Sequence, residues 1–576
     1  MDVIFGKTKQ KKRKIKELKY GADLYNLLSV YHPWDTSGKY IKIGARLMDK
    51  IKSTIARGKR LEKKIQRISE KNELSYLDEY YLAKYKKDLD YNGKILEIYK
   101  SSAKIDVKKE LTLLGEARRR EEILHGNLLS TIIMICLPIA VYVFFNSFYS
   151  LLDSVMCATI SAASVSDVAI LSQIKNMVNA FGAGIAGGGA VLVSRYYGGG
   201  KMKEAREASG NCLTISLITS AFICIILIPL ASIICKAVGC TGEDTGLYFS
   251  LQMLELAIVA VNTIFIGLEK VKGNSKRILI LNVLALIIKL VLNATFIYVI
   301  KVDTIVWLEV SSILAQGAIL AFALSTVFSE KNALRVTASE LKPRKIYISP
   351  ILKLSIPIFF GKFVMNFGKF VVNLLSNLFY GAATEGLVVG ALAVSNNLSG
   401  LITSPAQAFE EGESTIVSQN IGAGNYKRTV DAFIRTSAVV MTFSMIGFIL
   451  VRFVFLDDLA NLFAGARPSD PMEVEKAALL VRYIKEVFVY DCLSIPTLAV
   501  TSSVLGILYG YGKTHLSTIL NFSRIATRII TLTSLYYAGM NYTAVGVAMG
   551  ISNIIIMALS VMFCVIFFIK EKPLKK

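Results

Sequence analysis

Long apolar segments alternate with short charged loops over most of this chain. Residues 127–152, 208–235 and 529–569 contain no charged side chain. A membrane-spanning helix needs about 20 largely apolar residues, so these segments can cross a bilayer, and the last can cross it twice. The pattern predicts twelve spans, at residues 128–152, 167–193, 208–232, 248–268, 278–300, 304–328, 350–379, 386–408, 429–455, 480–508, 516–538 and 542–569.

The loops between the predicted spans alternate in charge. Those after spans 2, 4, 6 and 8 carry two or more lysines and arginines and that after span 10 carries Lys513, whereas the other loops are mostly acidic or neutral. Basic loops tend to stay on the cytoplasmic side of a membrane. The alternation therefore predicts a multi-pass protein of the cell membrane with both termini in the cytoplasm. A wrong number of spans would disrupt this alternation.

The chain before the first span follows a different pattern. Leu47, Ile51 and Ile55 recur at helical spacing, with lysines and arginines between them. Residues 1–126 contain 31 lysines and arginines against 18 acidic residues. We expect a basic helical extension that is either solvated or rests on anionic lipid. Nucleic-acid binding is not expected, because no recognition motif accompanies the charge.

Composition agrees with a polytopic membrane protein and gives no sign of an enzyme. Of the 576 residues, 53% are hydrophobic and 19% are charged, which is too apolar for a soluble protein of this length. His32, His125 and His515 are too scattered to suggest a metal site. Residues 198–202 lack the spacing and the Ser/Thr of a phosphate-binding loop. No cofactor is expected beyond a coupling ion.

The two halves of the chain carry the same motif. Val-Ser-x-x-x-Gly-x-Gly occurs at residues 193–200 and again at 417–424. Other landmarks recur in the same order: Pro138 as Pro357, Gly267 as Gly506 and Gly273 as Gly512. Six spans per half is an even number, so both halves enter the membrane in the same orientation. The repeat is therefore parallel, with its axis along the membrane normal.

The repeat and the spans together predict the fold. We expect an all-α membrane protein whose twelve transmembrane helices form two parallel, pseudo-symmetric six-helix bundles. The predicted domains are the basic cytoplasmic extension (1–126), an N-terminal lobe (127–330), a cytoplasmic linker (331–348) and a C-terminal lobe (349–576). The protein is expected to be a monomer.

Two features of the chain resemble a known family. They are the span 1 sequence from Leu137-Pro138 to Leu151-Leu152-Asp153-Ser154-Val155-Met156 and the two Val-Ser-x-x-x-Gly-x-Gly loops. Both resemble the multidrug and toxic compound extrusion (MATE) transporters, whose wider superfamily includes polysaccharide flippases. The resemblance covers about residues 127–570 and implies two lobes that alternate access to a central cleft. It implies a secondary active exporter of small organic compounds, typically cationic amphiphiles, by antiport with sodium or protons.

Polar groups inside the spans are the candidates for coupling, because a charge near the bilayer centre costs about 2.5–3.5 kcal/mol or more. Asp153 looks like the family's span 1 carboxylate, and a sodium ion or a proton is expected there; no other metal site is expected. Asn293 matches the family's span 5 asparagine, but Ile297 stands where many relatives have an aspartate. Asn146 offers a further oxygen, and Asp491 in span 10 is the candidate of the other lobe.

The substrate cleft has candidates of both signs. The acidic ones are Glu255, Glu309 and the glutamates of span 8, above all Glu411; the basic ones are Lys289, Lys362, Lys369, Arg524 and Arg528. The bases either pair with acids and snorkel to the interface or line the cleft. An acidic cleft favours organic cations, whereas a cationic one favours anionic cargo and a flippase for lipid-linked oligosaccharide or polysaccharide units. A third alternative is a receptor or scaffold that acts through residues 1–125.

Overall fold

The fold is known from a computed structural model. It describes residues 39–71, 74–101, 106–160, 162–240, 242, 244–302, 304–463 and 471–573. Within these ranges, side chains are described except at 39–48, 76, 148–155, 157–160, 162–166, 169, 463 and 471–474. All regular secondary structure in the described ranges is helical. The predicted class, an all-α membrane protein, is confirmed.

The described part of the chain contains seventeen α-helices. They are α1 (Lys39–Ser69), α2 (Tyr76–Lys100), α3 (Val107–His125), α4 (Leu128–Ile160), α5 (Ala162–Gly198), α6 (Met202–Ala237), α7 (Thr245–Val271), α8 (Ser275–Ala294), α9 (Val306–Val327), α10 (Lys345–Tyr380), α11 (Leu387–Gly422), α12 (Tyr426–Ile449), α13 (Leu456–Phe463), α14 (Pro471–Asp491), α15 (Ser494–Gly510), α16 (His515–Tyr537) and α17 (Ala544–Glu571). Short π-helical turns extend α8 to Ile300 and α12 to Val454.

These helices coincide with the predicted spans. Spans 1–9 are α4–α12, span 10 is α14 with α15, and spans 11 and 12 are α16 and α17. Ten single helices are long and apolar enough to cross a membrane, and the two parts of span 10 pass the same test together. Span 11 is not among these, because the buried Arg524 and Arg528 lower its hydropathy. The helix is nevertheless 23 residues long.

Span 10 is bent by 42° at its centre. Its first helix ends at Asp491 and its second begins at Ser494, with Pro496 in the first turn. Proline is tolerated there because the first N–H groups of a helix have no partner within that helix. In one continuous helix its ring would clash with the preceding turn. The break places Asp491 at a helix end inside the bundle.

Four central spans join the two halves through close glycine contacts. Gly188 of span 2 lies against Ser355 of span 7, and Gly412 of span 8 lies against Cys136 of span 1. An added Cβ at either glycine would clash with the opposite side chain. The two pairs are equivalent under the repeat: Gly412 follows Gly188 by 224 positions, and Ser355 follows Cys136 by 219. Equivalent contacts in the two halves thus agree with the parallel repeat that the sequence predicts.

The motif glycines end spans 2 and 8 with the same turn. Gly200 and Gly424 have φ values of +76° and +79°, and each follows the end of its helix. In both copies the next backbone N–H donates to a carbonyl five residues earlier, at 2.9 and 2.8 Å. This is the common helix ending that requires a left-handed residue, for which glycine has no steric penalty.

The basic extension forms a compact unit of its own, which comprises the described residues up to Ala117 together with Glu330–Asn332. The helices α1 and α2 pack side by side, and Asn92 Nδ2 donates to Thr54 O at 2.8 Å in their buried interface. Ser75 caps α2 through a reciprocal bond with Asp78. Hydrogen bonds from Lys71 and Ser75 lower the pKa of Asp78. The predicted helical character of this segment is confirmed where it is described.

Gly412→Ala tests the central contact. We expect it to destabilise the protein by about 1–3 kcal/mol, because the new methyl group would overpack against Cys136. The matched control is Gly400→Ala in the same span, where an added Cβ has Ser404 Oγ at 3.9 Å and a helical alanine gains about 1 kcal/mol. Thermal unfolding in detergent measures both. Equal midpoints for the two variants would contradict this packing.

Candidate functional site

A cavity of about 100 Å³ lies between the two lobes. Spans 2 and 4 line it from the N-terminal lobe, and spans 7, 8 and 10 line it from the C-terminal lobe. The lining residues are Ala183, Ala186, Gly187, Ala190, Val191, Thr263, Ile266, Gly267, Lys270, Ile358, Lys362, Glu410, Glu411, Ser414, Thr415 and Tyr509. The wall from span 2 is small and apolar, so the charges come from spans 4, 7 and 8.

Glu411 lies between two lysines at this cavity. Its Oε2 forms an ion pair with Lys270 of span 4, and its Oε1 lies 3.7 Å from Lys362 Nζ of span 7. The pair with Lys270 connects the two lobes. With Glu410 the lining carries two lysines and two glutamates. The charges of the cavity lining are therefore balanced and favour neither cationic nor anionic cargo.

A second charged cluster lies within the N-terminal lobe. Lys175 of span 2 forms an ion pair with Glu255 of span 4, and its Nζ lies 3.3 Å from Glu309 Oε1 of span 6. Both carboxyl groups are buried. The structure thus places Glu255 in an ion pair away from the cavity lining. Lys175 was missed from the sequence, although a lysine inside predicted span 2 was the signal that could have found it.

The cation site predicted in span 1 is only partly described. Asp153 belongs to α4, but its side chain lies outside the described residues. Asn293 is fully buried and accepts a hydrogen bond from Ser311 Oγ of span 6. Asn146 is exposed on span 1. The assignment of a coupling ion to these residues stays a prediction.

Asp491 is enclosed at the break of span 10. Its Oδ2 accepts hydrogen bonds from Ser395 Oγ at 2.8 Å and Ser399 Oγ at 2.9 Å. These serines are one turn apart on span 8, so both hydroxyl groups reach the same oxygen. Its Oδ1 has no hydrogen-bond partner among the described residues. Clustered oxygens of this kind are the ligands that hard cations prefer.

Lys369 of span 7 and the two arginines of span 11 lie in the C-terminal lobe but outside the cavity lining. Arg524 and Arg528 are buried; Arg528 Nε donates to Ser552 Oγ at 3.1 Å, and Arg524 Nε has no hydrogen-bond partner in the described part of the chain. The charge of Lys369 interacts with both arginines and with Asp491. Of the predicted cleft residues that the structure describes, Lys362, Glu411 and its neighbour Glu410 line the cavity.

The two copies of the repeated motif lie against each other. Gly198 packs against the backbone of Gln419, and Gly422 packs against the backbone of Arg195. A Cβ at either glycine would overlap the opposite backbone, so no larger residue fits without moving the helices apart. We call these four residues the glycine contact. The motif therefore also joins the lobes, a role that its sequence alone did not reveal.

Two reciprocal hydrogen bonds accompany the glycine contact. Arg195 Nη2 donates to Gly510 O at 2.9 Å, and Gln419 Nε2 donates to Val271 O at 2.7 Å. The donors hold the same position in the two motif copies. The acceptors end spans 4 and 10 and are separated by 239 positions, like the glycines that follow them. Each lobe therefore makes the same bond to the other.

Residues 118–126, the end of α3 and its connection to span 1, contact both lobes near the glycine contact. Arg120 Nη2 lies 3.4 Å from Gly198 O of the N-terminal lobe. Arg428 Nη2 of the C-terminal lobe donates to Gly126 O at 2.7 Å. This segment precedes the part of the chain that carries the family resemblance.

The fold, with its apolar spans in two lobes around a cavity, defines a multi-pass membrane transporter. A model of the MatE family matches the chain over residues 138–295 and 357–533. The two matches begin at Pro138 and Pro357, one in each lobe, and together cover more than half of the 576 residues. The chain belongs to the MatE family of transporters. No curated protein sequence matches it.

Solved structures of this superfamily share the fold. A MOP superfamily transporter from Pyrococcus furiosus Vc1, described as having a binding pocket of reverse polarity, superposes with a TM-score of 0.72 at 17% identity, over 79% of this chain and 98% of the other. A MATE transporter in complex with MaL6 gives 0.72 at 16%, over 79% and 99%. An outward-facing multidrug resistance MATE transporter gives 0.69 at 16%, over 77% and 97%.

The double variant Arg195→Ala with Gln419→Ala is expected to open the end of the molecule at the glycine contact. It removes both reciprocal bonds, and each such bond contributes about 0.5–3 kcal/mol. Spin labels at Lys203→Cys and Lys427→Cys, two exposed equivalent positions, should report a larger population at long distance. Arg277→Ala is the control, since Arg277 pairs with Glu269 of its own lobe. Unchanged distances in the double variant would refute the role of these bonds.

Proposed function

We propose that this protein is a secondary active exporter of small organic compounds. It works by alternating access between its two lobes, in antiport with sodium or protons. The glycine contact beside a central interlobe cavity carries this proposal. At the glycine contact the lobes are held by backbone packing and by two side-chain hydrogen bonds, which are lost when the lobes separate.

The proposed orientation follows the charges of the loops. The glycine contact lies on the cytoplasmic side, both termini are cytoplasmic, and the protein resides in the cell membrane. In this orientation the described conformation is closed to the cytoplasm. The basic extension, with its excess of lysine and arginine, lies near anionic headgroups of the same leaflet.

The driving force is sufficient for concentrative export. One positive charge that moves inward through 100 mV releases about 2.3 kcal/mol, which corresponds to a concentration ratio of about 50. The proposed coupling carboxyl groups are Asp153 in one lobe and Asp491 in the other. Two observations support this role for Asp491. Two serine hydroxyl groups bond to its Oδ2, and its Oδ1 has no hydrogen-bond partner among the described residues.

Transport by purified protein in proteoliposomes tests the proposal. Sodium and proton gradients are imposed separately, and export of a cationic amphiphilic dye is followed by fluorescence. Asp153→Asn is expected to abolish coupled export while the protein remains folded, because an amide carries no charge to compensate the coupling cation. Asp491→Asn should weaken coupling in the same way. Asp458→Asn, at an exposed aspartate, serves as the control.

Wild-type protein that exports no compound under either gradient would contradict the proposed function. Coupled export that is unchanged in Asp153→Asn would refute only the assignment of that residue.

A flippase for anionic, lipid-linked units is the second candidate function. It is favoured by Lys369, Arg524 and Arg528, none of which forms an ion pair among the described residues. Arginines buried without an ion pair among the described residues are costly, and an anionic cargo would add to the distant compensation that Asp491 and Glu410 provide. The similar transporter from Pyrococcus furiosus is described as having a binding pocket of reverse polarity. This is a second reason to test the flippase function.

Arg524→Gln separates the two candidates. If the cargo is anionic, transport of an anionic fluorescent amphiphile should fall about tenfold or more, because a charged hydrogen bond contributes about 1.5–3 kcal/mol. Transport of a cationic analogue should not fall. Arg482→Gln, at an exposed arginine, is the matched control. An equal loss for both dyes would argue against an anionic cargo.

A further inference from the structure

Glu413 of span 8 is a carboxyl group enclosed in the protein core. It is fully buried, and neither carboxylate oxygen has a hydrogen-bond partner in the described part of the chain. An isolated charge in such an environment carries a very large desolvation cost unless it is paired. The group is therefore a neutral carboxylic acid in this conformation.

The surroundings of Glu413 contain no compensating cation among the described residues. Span 10 presents Gly506, where an added Cβ would lie 2.8 Å from the Glu413 carboxyl carbon. Span 1 presents the thiol of Cys136, and span 12 presents that of Cys564. On its own helix, Glu410 is the titratable group that acts on Glu413. A second carboxyl group only adds to the cost of ionisation.

Comparison of the two lobes shows that this acid is not required by the fold. Residues 410–413 read Glu-Glu-Gly-Glu, whereas the equivalent residues 186–189 of the N-terminal lobe read Ala-Gly-Gly-Gly. Both segments pack in the same central position through Gly188 and Gly412. The position equivalent to Glu413 is therefore filled by glycine in the other lobe. An acid that has no counterpart in the other lobe, and no hydrogen-bond partner among the described residues, points to a function.

The location of Glu413 links it to the movement of the lobes. Its neighbour Gly412 contacts Cys136 of span 1, so Glu413 lies directly behind an interface between the two halves. Separation of spans 1 and 8 would admit water to the carboxyl group and remove the cost of its charge. Glu410, three residues earlier on the same span, lines the central cavity.

We propose that Glu413 is a proton-binding site whose proton is released when spans 1 and 8 separate. The inference rests on the proposed antiport and names the proton as its coupling ion at this position. Sodium does not suit the site, because it needs several oxygen ligands and the described neighbours offer thiols and a glycine. The step is a simple dissociation: the carboxylic acid gives a carboxylate and a proton, which passes to water.

Release of a proton on opening makes the ratio of open to closed molecules depend on pH. If opening releases one proton, the ratio of open to closed molecules rises up to about tenfold for each unit of increasing pH. The sign follows because the closed conformation holds the proton more tightly, and a higher pH favours the conformation with fewer protons. The spin-label pair at Lys203→Cys and Lys427→Cys measures this ratio in lipid nanodiscs without any substrate.

Glu413→Gln is the decisive variant, since an amide keeps the shape of the neutral acid but cannot ionise. We expect the pH dependence of the open-to-closed ratio to fall to one half or less of the wild-type value. The infrared C=O absorption of protonated carboxylic acids at neutral pH should also lose the component that Glu413 contributes. Glu475→Gln, at an exposed glutamate, should change neither readout.

The proposal is overturned if the pH dependence is the same in wild type and Glu413→Gln. It is equally overturned if Glu413→Gln leaves the infrared band unchanged. Neither measurement requires transport. If both measurements give the expected results but the protein exports no compound in proteoliposomes, the proposed function is contradicted and the proton site is not.

Discussion

Close approach of helix backbones across the two lobes is the constraint on which the structure depends. At Gly188, Gly412, Gly198 and Gly422 the opposing chain lies where a Cβ would be. Such contacts require glycine on one side, and they are lost as soon as the helices move apart. They bring the lobes close enough for Arg195 and Gln419 to bond to carbonyls of the opposite lobe. The same geometry encloses the central cavity and buries Glu413.

Buried carboxyl groups have different partners in the two lobes. In the N-terminal lobe, Glu255 and Glu309 share Lys175, so burial of each carboxyl group is compensated by an adjacent cation. In the C-terminal lobe, two serine hydroxyl groups donate hydrogen bonds to Asp491 without a direct ion pair among the described residues, and Glu413 has no hydrogen-bond partner there. Since an uncompensated buried charge is costly, we expect protonation or ion binding to depend more strongly on conformation in this lobe.

The sequence predicted the architecture well because the signals for it are local or periodic. Apolar length located the spans, loop charge supported their number, and the repeat established the relation of the halves. Pairing between distant spans could not be predicted in this way. Lys175 and Lys270 join acids that are 80 and 141 positions away, and no local pattern encodes such a partner. The group Glu410, Glu411 and Glu413 was visible, but only the packing distinguishes a paired acid from an enclosed one.

The central claim is that the glycine contact must open in every transport cycle. A reversible cross-link between Lys203→Cys and Lys427→Cys, made with a bifunctional thiol reagent, tests it most directly. Export of an amphiphilic dye from proteoliposomes is measured before cross-linking, after it and after cleavage of the linker. The account predicts that export stops when the linker is in place and returns when it is cleaved. Export at an unchanged rate by fully cross-linked protein would contradict it.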